Sequence, residues 1–109
     1  MKYYIGIDLG GTNIVAGVVD ENFSLIATAS NKTNAGRPAD QIAETMAQTA
    51  AQAAEKAGIS MEQIESVGIG SPGIVDSQKR EVIFASNLDF YNAPIGQLLE
   101  DRLHRPVFL

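Results

Sequence analysis

Tyr4-Ile5-Gly6-Ile7-Asp8-Leu9-Gly10-Gly11-Thr12-Asn13 is the stretch that decides how this chain is read. The apolar run from Tyr3 to Leu9 has the character of a strand and stops at two adjacent glycines, and a second β-rich run, Ile14 to Val19, starts almost at once. This is the pattern of a tight hairpin with Gly10 and Gly11 at its tip. Glycines suit such tips because they supply positive φ without a steric penalty. Asp8 stands at the mouth of the turn, inside an otherwise apolar strand, where a carboxylate costs stability unless it has a partner or a task. Thr12 and Asn13 add a hydroxyl and an amide beside bare backbone N–H groups. Paired glycines let a phosphate approach that backbone closely, the N–H groups donate to its oxygens, and the acid can hold Mg²⁺ through water. On spacing alone the phosphate cradle and an ordinary turn stand equal.

Two other phosphate loops are excluded. The glycines from Gly6 to Gly11 are spaced as in a P-loop, but Thr12 stands where that motif needs lysine, and strand follows instead of helix. Gly68-Ile69-Gly70-Ser71-Pro72-Gly73 matches G-x-G-x-x-G literally. A dinucleotide site needs a helix opening at those glycines, whereas Pro72 interrupts and a turn-like polar cluster from Asp76 to Arg80 follows.

The 109 residues suffice for one domain, burying roughly 60–70% of its unfolded surface. With 45% hydrophobic and 19% charged residues the chain is ordinary for a globular protein. A formal charge of −5 speaks against a nucleic-acid surface, which is built from clustered Lys and Arg. The absence of cysteine removes disulfides and cysteine-ligated zinc from this stretch and fits a reducing, cytoplasmic setting. No apolar run approaches the about 18 residues of a membrane-spanning helix, and Asp8 interrupts the first apolar run too early for a signal peptide.

Taken in order, residues 2–8, 13–19 and 23–30 read as a three-stranded meander. Both faces of the second strand are apolar, which predicts cover on both sides; the third alternates as an edge strand would. The period turns helical from Pro38, with Ile42, Met46, Ala50, Ala53 and Ala57 on one stripe and Gly58 as the stop. Ser60 and Gln63 have the spacing of a capping box. Residues 64–69 form a fourth strand ending at the 70–73 loop, and 76–81 a hairpin tip with 82–84 as the return strand. Residues 87–92 read as a loop, with Asn92 capping a helix whose stripe is Ile95, Leu98, Leu99 and Leu103. His104 sits at that helix's C-terminus, and Val107-Phe108-Leu109 begins a fifth main strand. Three alternating runs followed by helix–strand units predict an α/β fold with a five-stranded mixed sheet in the order 3-2-1-4-5. The chain is expected to be a piece cut inside that fifth strand.

Asp8-Leu9-Gly10-Gly11-Thr12-Asn13 resembles the first phosphate motif of the superfamily of actin, the hexokinases and the heat-shock chaperone ATPases. Residues 68–76 and Asn87-Leu88 resemble the sugar-side motifs of its ROK branch (repressors, open reading frames, kinases), and most of all those of the bacterial glucokinases. The resemblance runs from Tyr3 to Leu109, and its three motifs in order are more specific than any one alone. It implies a ribonuclease H-like (actin-like ATPase) fold, with residues 1–109 as the N-terminal lobe of a kinase that closes on ATP and a hexose, glucose first, and transfers the γ-phosphoryl group to a sugar hydroxyl. By this resemblance Asp8 would orient Mg²⁺ through water. Gly10, Gly11, Thr12 and Asn13 would line the phosphates, the Gly73 backbone would touch the sugar, and Asn87 would sit beside the sugar pocket.

The family's catalytic aspartate lies in a Glu-Asn-Asp-Ala run that follows a strand like residues 106–109, and that run is absent. So are the family's His/Glu sugar ligands, its cysteine-rich zinc loop and its adenosine site. No catalytic residue is therefore assigned in this chain, since a general base must lie within hydrogen-bond reach of the attacking hydroxyl; Asp76 and Asp89 match no motif position. The expectation is an inactive fragment of an active, cytoplasmic, homo-oligomeric parent, with structural zinc possible in the missing part. The competing expectations are a sugar-sensing repressor of the same family and a non-catalytic sugar-binding module. The repressors carry a helix-turn-helix segment ahead of this lobe, so a first strand starting at Met1 favours the kinase if Met1 is the native start.

Overall fold

The computed structural model describes residues 1–109. The elements follow as β1 (Tyr3–Leu9), β2 (Asn13–Asp20), β3 (Leu25–Lys32), α1 (Ala39–Lys56), β4 (Ile64–Gly70), β5 (Ile74–Asp76), β6 (Glu81–Ala85), β7 (Phe90–Ala93), α2 (Ile95–Leu103) and β8 (Val107–Phe108). The main sheet has five strands in the order β3-β2-β1-β4-β8, and β5-β6-β7 form a second, three-stranded sheet. Because β8 is the fifth strand of the main sheet, this is the order expected from the sequence. β1 is antiparallel to β2 and parallel to β4, and β8 is parallel to β4.

The core lies on one face of the main sheet. Ile5, Ile7 and Leu9 stand beside Val18, Ala16 and Ile14 of β2, and Ile5 and Ile7 beside Val67 and Ile69 of β4. All are buried against Ile42, Met46, Ala50 and Ala53 of α1 and Ile95 and Leu99 of α2. The small side chains of α1 let it lie close to the strands. Gly58, at φ +74, ends the helix as expected, and the Gln63 side chain accepts the Ser60 N–H at 3.0 Å, closing the expected capping box.

Four expectations are corrected. β2 is not covered on both sides: both helices sit on one face, and Val15 on the other is 38% exposed. That open face carries a row of bare backbone, because Gly6 pairs with Gly17 on one side and with Gly68 on the other. β3 starts at Leu25, not at residue 23. The buried Asp20 explains this: its Oδ1 accepts the N–H groups of Asn22 (2.8 Å) and Ser24 (3.0 Å). The turn therefore extends through Ser24 and leaves Phe23 exposed at φ +62. The 87–92 segment is not all loop, since Phe90–Ala93 pairs with β6. Asn92 does not cap α2, because it lies within β7 at φ +51 and the helix opens at Pro94. Proline has no N–H to cap, and its carbonyl accepts from Leu98 at 3.0 Å.

The β5–β6 hairpin is tied to the main body by Arg80, held at φ +57 beyond a turn in which Asp76 accepts the N–H groups of Gln78 and Lys79. Its guanidinium donates to Glu100 Oε1 (2.7 Å), Gln97 Oε1 (2.8 Å) and the Val107 carbonyl (3.1 Å), spanning α2 and β8. Its own carbonyl accepts the Gly96 N–H at 2.9 Å. Arg80→Ala is expected to destabilise the chain by about 1–2 kcal/mol, the value of a charge-assisted cluster that is partly exposed. The urea midpoint measures this; an unchanged midpoint would show the hairpin to be held by its apolar contacts alone.

Candidate functional site

Parallel pairing of β1 and β4 puts the loops that leave their carboxyl ends side by side, with Asp8 opposite Gly70. An open cleft forms there. One wall is Asp8, Gly10 and Gly11; the other is Gly70, Ser71 and Pro72, with Asn87 reaching in from the turn after β6. In open α/β sheets ligands bind beyond the carboxyl ends of the strands, and three stretches far apart in sequence meet at this one.

The glycine hairpin is built tightly. The Gly10 N–H donates to the Asn13 carbonyl at 3.0 Å, and a Cβ on Gly10 would come within 2.7 Å of that same oxygen. Neither Gly10 nor Gly11 adopts positive φ, so the expected reason for glycine at this tip is corrected. What these positions require is close approach. Thr33, fully buried, anchors the hairpin from behind: its hydroxyl donates to the Gly10 carbonyl at 2.7 Å and its N–H to the Thr12 carbonyl at 2.9 Å. Arg37 in turn donates to the Thr33 carbonyl at 2.6 Å. The N–H groups of Gly11 and Thr12 find no acceptor in the protein. Two unpaired donors at a glycine tip suit an anionic oxygen.

Asp8 points from the open face of β1 and is exposed, so the expected cost of a carboxylate in apolar surroundings does not arise. It takes part in neither of the chain's ion pairs, which join Arg80 to Glu100 and Arg102 to Glu44. With a glycine opposite it on β4, no neighbouring side chain covers it there. No set of three His, Cys, Asp or Glu side chains gathers anywhere to hold a metal directly. A hydrated cation held by one carboxylate and by ligand oxygens is the arrangement these residues fit.

Of the residues singled out from sequence, Asp8, Gly10, Gly11 and Asn87 meet in the cleft. Thr12 and Asn13 lie at the hairpin tip and the start of β2, exposed, with their carbonyls already used by Thr33 and Gly10. Gly73 does not line the cleft. At φ +88 a Cβ there would lie 2.1 Å from the Phe84 carbonyl oxygen, so this glycine serves the close start of the β5–β6 hairpin. Gly70, Ser71 and Pro72 line the cleft; they belong to the loop at the carboxyl end of the fourth strand, which the sequence marks as a place for a ligand without giving these three residues a role of their own. Thr33 was missed because a lone threonine in a polar loop carries no local signal of a long-range anchor.

A family model described as the ROK family matches residues 4–109. Over 107 residues the chain is 39% identical to the glucokinase of Streptomyces coelicolor, which covers 98% of this chain and 32% of that protein. A ROK family glucokinase from Streptomyces griseus, solved in complex with glucose and AMPPNP, superposes with a TM-score of 0.86 at 36% identity, over 98% of this chain and 32% of that one. The xylose repressor of Caldicellulosiruptor bescii is 25% identical over 112 residues, covering 96% of this chain and 26% of the repressor. The chain thus spans about a third of the length of the glucokinases it matches. The expected fold, that of the actin-like ATPase lobe in ROK sugar kinases, is the one found.

Thr33→Val keeps the volume and removes the donor to the Gly10 carbonyl. The expected cost is about 1 kcal/mol, a fall in melting temperature of about 4–8 °C. Faster amide exchange at Gly10 should accompany it. Unchanged exchange there would show the hairpin to be fixed by β1 and β2 alone.

Proposed function

The chain belongs to the ROK family, and on that premise we propose that the protein is an ATP-dependent hexose kinase of the glucokinase kind to which residues 1–109 contribute the phosphate hairpin and one wall of the sugar site. The observation that carries this reading is the single cleft joining an unpaired carboxylate, Asp8, the free Gly11 N–H and the Asn87 amide, with the free Thr12 N–H next along the same hairpin tip. A sugar-binding module alone has no need of the first two. The glucokinases are also the more similar relatives, at 39% identity against 25% for the xylose repressor. Glucose is the sugar this reading favours, since the Streptomyces griseus relative was solved with it.

The N–H groups of Gly11 and Thr12 would hold phosphate oxygens, and Asp8 would orient Mg²⁺ through water. Thr33 keeps those donors fixed, so little reorganisation is needed when charge develops on the oxygens. Asn87, across the cleft, would orient a sugar hydroxyl toward them. Bound Mg²⁺·ATP supplies the phosphoryl group and the cation that neutralises it. The general base would come from residues outside this chain, so residues 1–109 alone would bind weakly and not turn over. No helix here is long and apolar enough to cross a membrane; a cytoplasmic, homo-oligomeric enzyme with zinc elsewhere in the protein completes the proposal. Sugar sensing is the second reading, supported by the match to a repressor over 96% of the chain. Sugar-dependent release of DNA, without sugar-dependent ADP formation, would favour it.

Asp8→Asn in the full protein keeps the shape and removes the charge. Turnover is expected to fall by about 100-fold, roughly 3 kcal/mol of barrier, with sugar KM little changed. Since the carboxylate has no protein partner here, the melting temperature should move by less than about 2 °C. Near-normal kcat would remove Asp8 from the site.

A further inference from the structure

Gly11 has no conformational need to be glycine. Its φ is outside the left-handed region, so an alanine backbone fits there. What it lacks is room: a Cβ on Gly11 would lie 2.9 Å from Nδ2, 3.5 Å from Cγ and 3.6 Å from Cβ of Asn87. The missing side chain of the phosphate loop is thus the space that the Asn87 side chain occupies. The other glycines near the cleft differ. Gly10 is crowded by backbone, the Asn13 carbonyl, which cannot step aside. Gly6 and Gly68, lower on the sheet, face open space. Only at Gly11 is the neighbour the tip of a rotatable side chain from a distant loop.

That side chain has nowhere to pass the strain except its own torsions. The backbone on either side is fixed by buried Ala85 and Leu88, within and beside the one-turn helix Ser86–Leu88. The Asn87 amide makes no hydrogen bond to the protein, so its N–H₂ and its carbonyl are both free for a ligand, one donating and one accepting. A vicinal pair of sugar hydroxyls matches that donor–acceptor pair.

We propose that Gly11 is a positioning residue for Asn87: its bare Cα sets where the sugar-side amide stands, and so couples acceptor placement to the phosphate hairpin. The proposal rests on reading Asn87 as a sugar ligand. It goes beyond that reading in making one glycine serve both halves of the site, so a methyl group on the phosphate loop weakens the sugar.

The test uses the full protein to which these residues belong, labelled with ¹⁵N on its asparagine side chains, with glucose and Mg²⁺·AMPPNP as separate probes. In Gly11→Ala the Asn87 side-chain N–H₂ signals should shift with no ligand present, while the melting temperature stays within about 2 °C of the parent chain. Glucose affinity, read from the Asn87 signals and from neighbouring amides, should fall about three- to tenfold, the worth of one misplaced hydrogen bond. In an Asn87→Ala background the same Gly11→Ala change should leave glucose affinity unaltered. Glucose binding that Gly11→Ala leaves intact, or an equal loss in both backgrounds, overturns the inference. An unsubstituted full protein whose Asn87 signals ignore glucose overturns the sugar reading itself, and with it the ligand proposed here. A loss confined to AMPPNP binding, with Asn87 unmoved, would assign the bare Cα to phosphate approach alone and overturn the coupling.

Discussion

Tyr3–Leu9 is hydrogen-bonded along both edges, antiparallel to Asn13–Asp20 and parallel to Ile64–Gly70, and the site depends on that double pairing. An antiparallel neighbour returns after a tight turn, which puts the glycine tip directly above Asp8. A parallel neighbour ends at the same level, which puts the 70–72 loop beside it. The register then does the rest: Asp8 faces Val15 on one side and Gly70 on the other, so the carboxylate and both loops share one edge of the sheet. A slip of one residue would turn Asp8 into the core and Ile7 or Leu9 out of it, and the buried set Ile5, Ile7 and Leu9 forbids that.

How much of this was legible depends on which physical cause leaves a mark in sequence. The switch from alternation to a helical period at Pro38 announces the sheet order, because three short-turned runs must form a meander and a helical crossover must return to its other edge. That Asp8, Gly10 and Gly11 would share one cleft was legible for a similar reason: a glycine pair and an acid at a strand end are local features. The reason for the glycines was not. Positive φ and crowding select the same residue, so only coordinates separate Gly73, which needs both, from Gly11, which needs space alone. Thr33 illustrates the opposite limit, since nothing in residues 31–37 says that a hydroxyl there reaches back to residue 10.

The second sheet was the least legible part. Its path relies on side-chain-bearing residues in left-handed conformations, Arg80, Asp89 and Asn92 among them. Asn and Asp adopt that region more readily than most residues, so two of the three carry a faint signal; Arg80 carries none. Its backbone is held by the Gly96 N–H and its guanidinium by three acceptors, all distant in sequence. The turn bearing Asn87 links β6 to β7 of that sheet and so inherits its position from an arginine at the far end of β6.

The row Gly17–Gly6–Gly68 across the open face of the main sheet has a consequence for its cohesion. Cross-strand side-chain pairs stabilise a sheet, and Gly17, Gly6 and Gly68 form none with one another on that face along this line. Leu25 of β3 leans over Gly17, whereas Gly6 and Gly68 face open space, and glycines inside a strand have no side chain to pack. The line crosses between Tyr4 and Asp8, one step below the glycine hairpin. The sheet therefore has no side-chain pair joining β2, β1 and β4 one step beneath the edge that bears Asp8 and the glycine hairpin, and its cohesion at that level comes from the backbone ladder and from the helix-covered face.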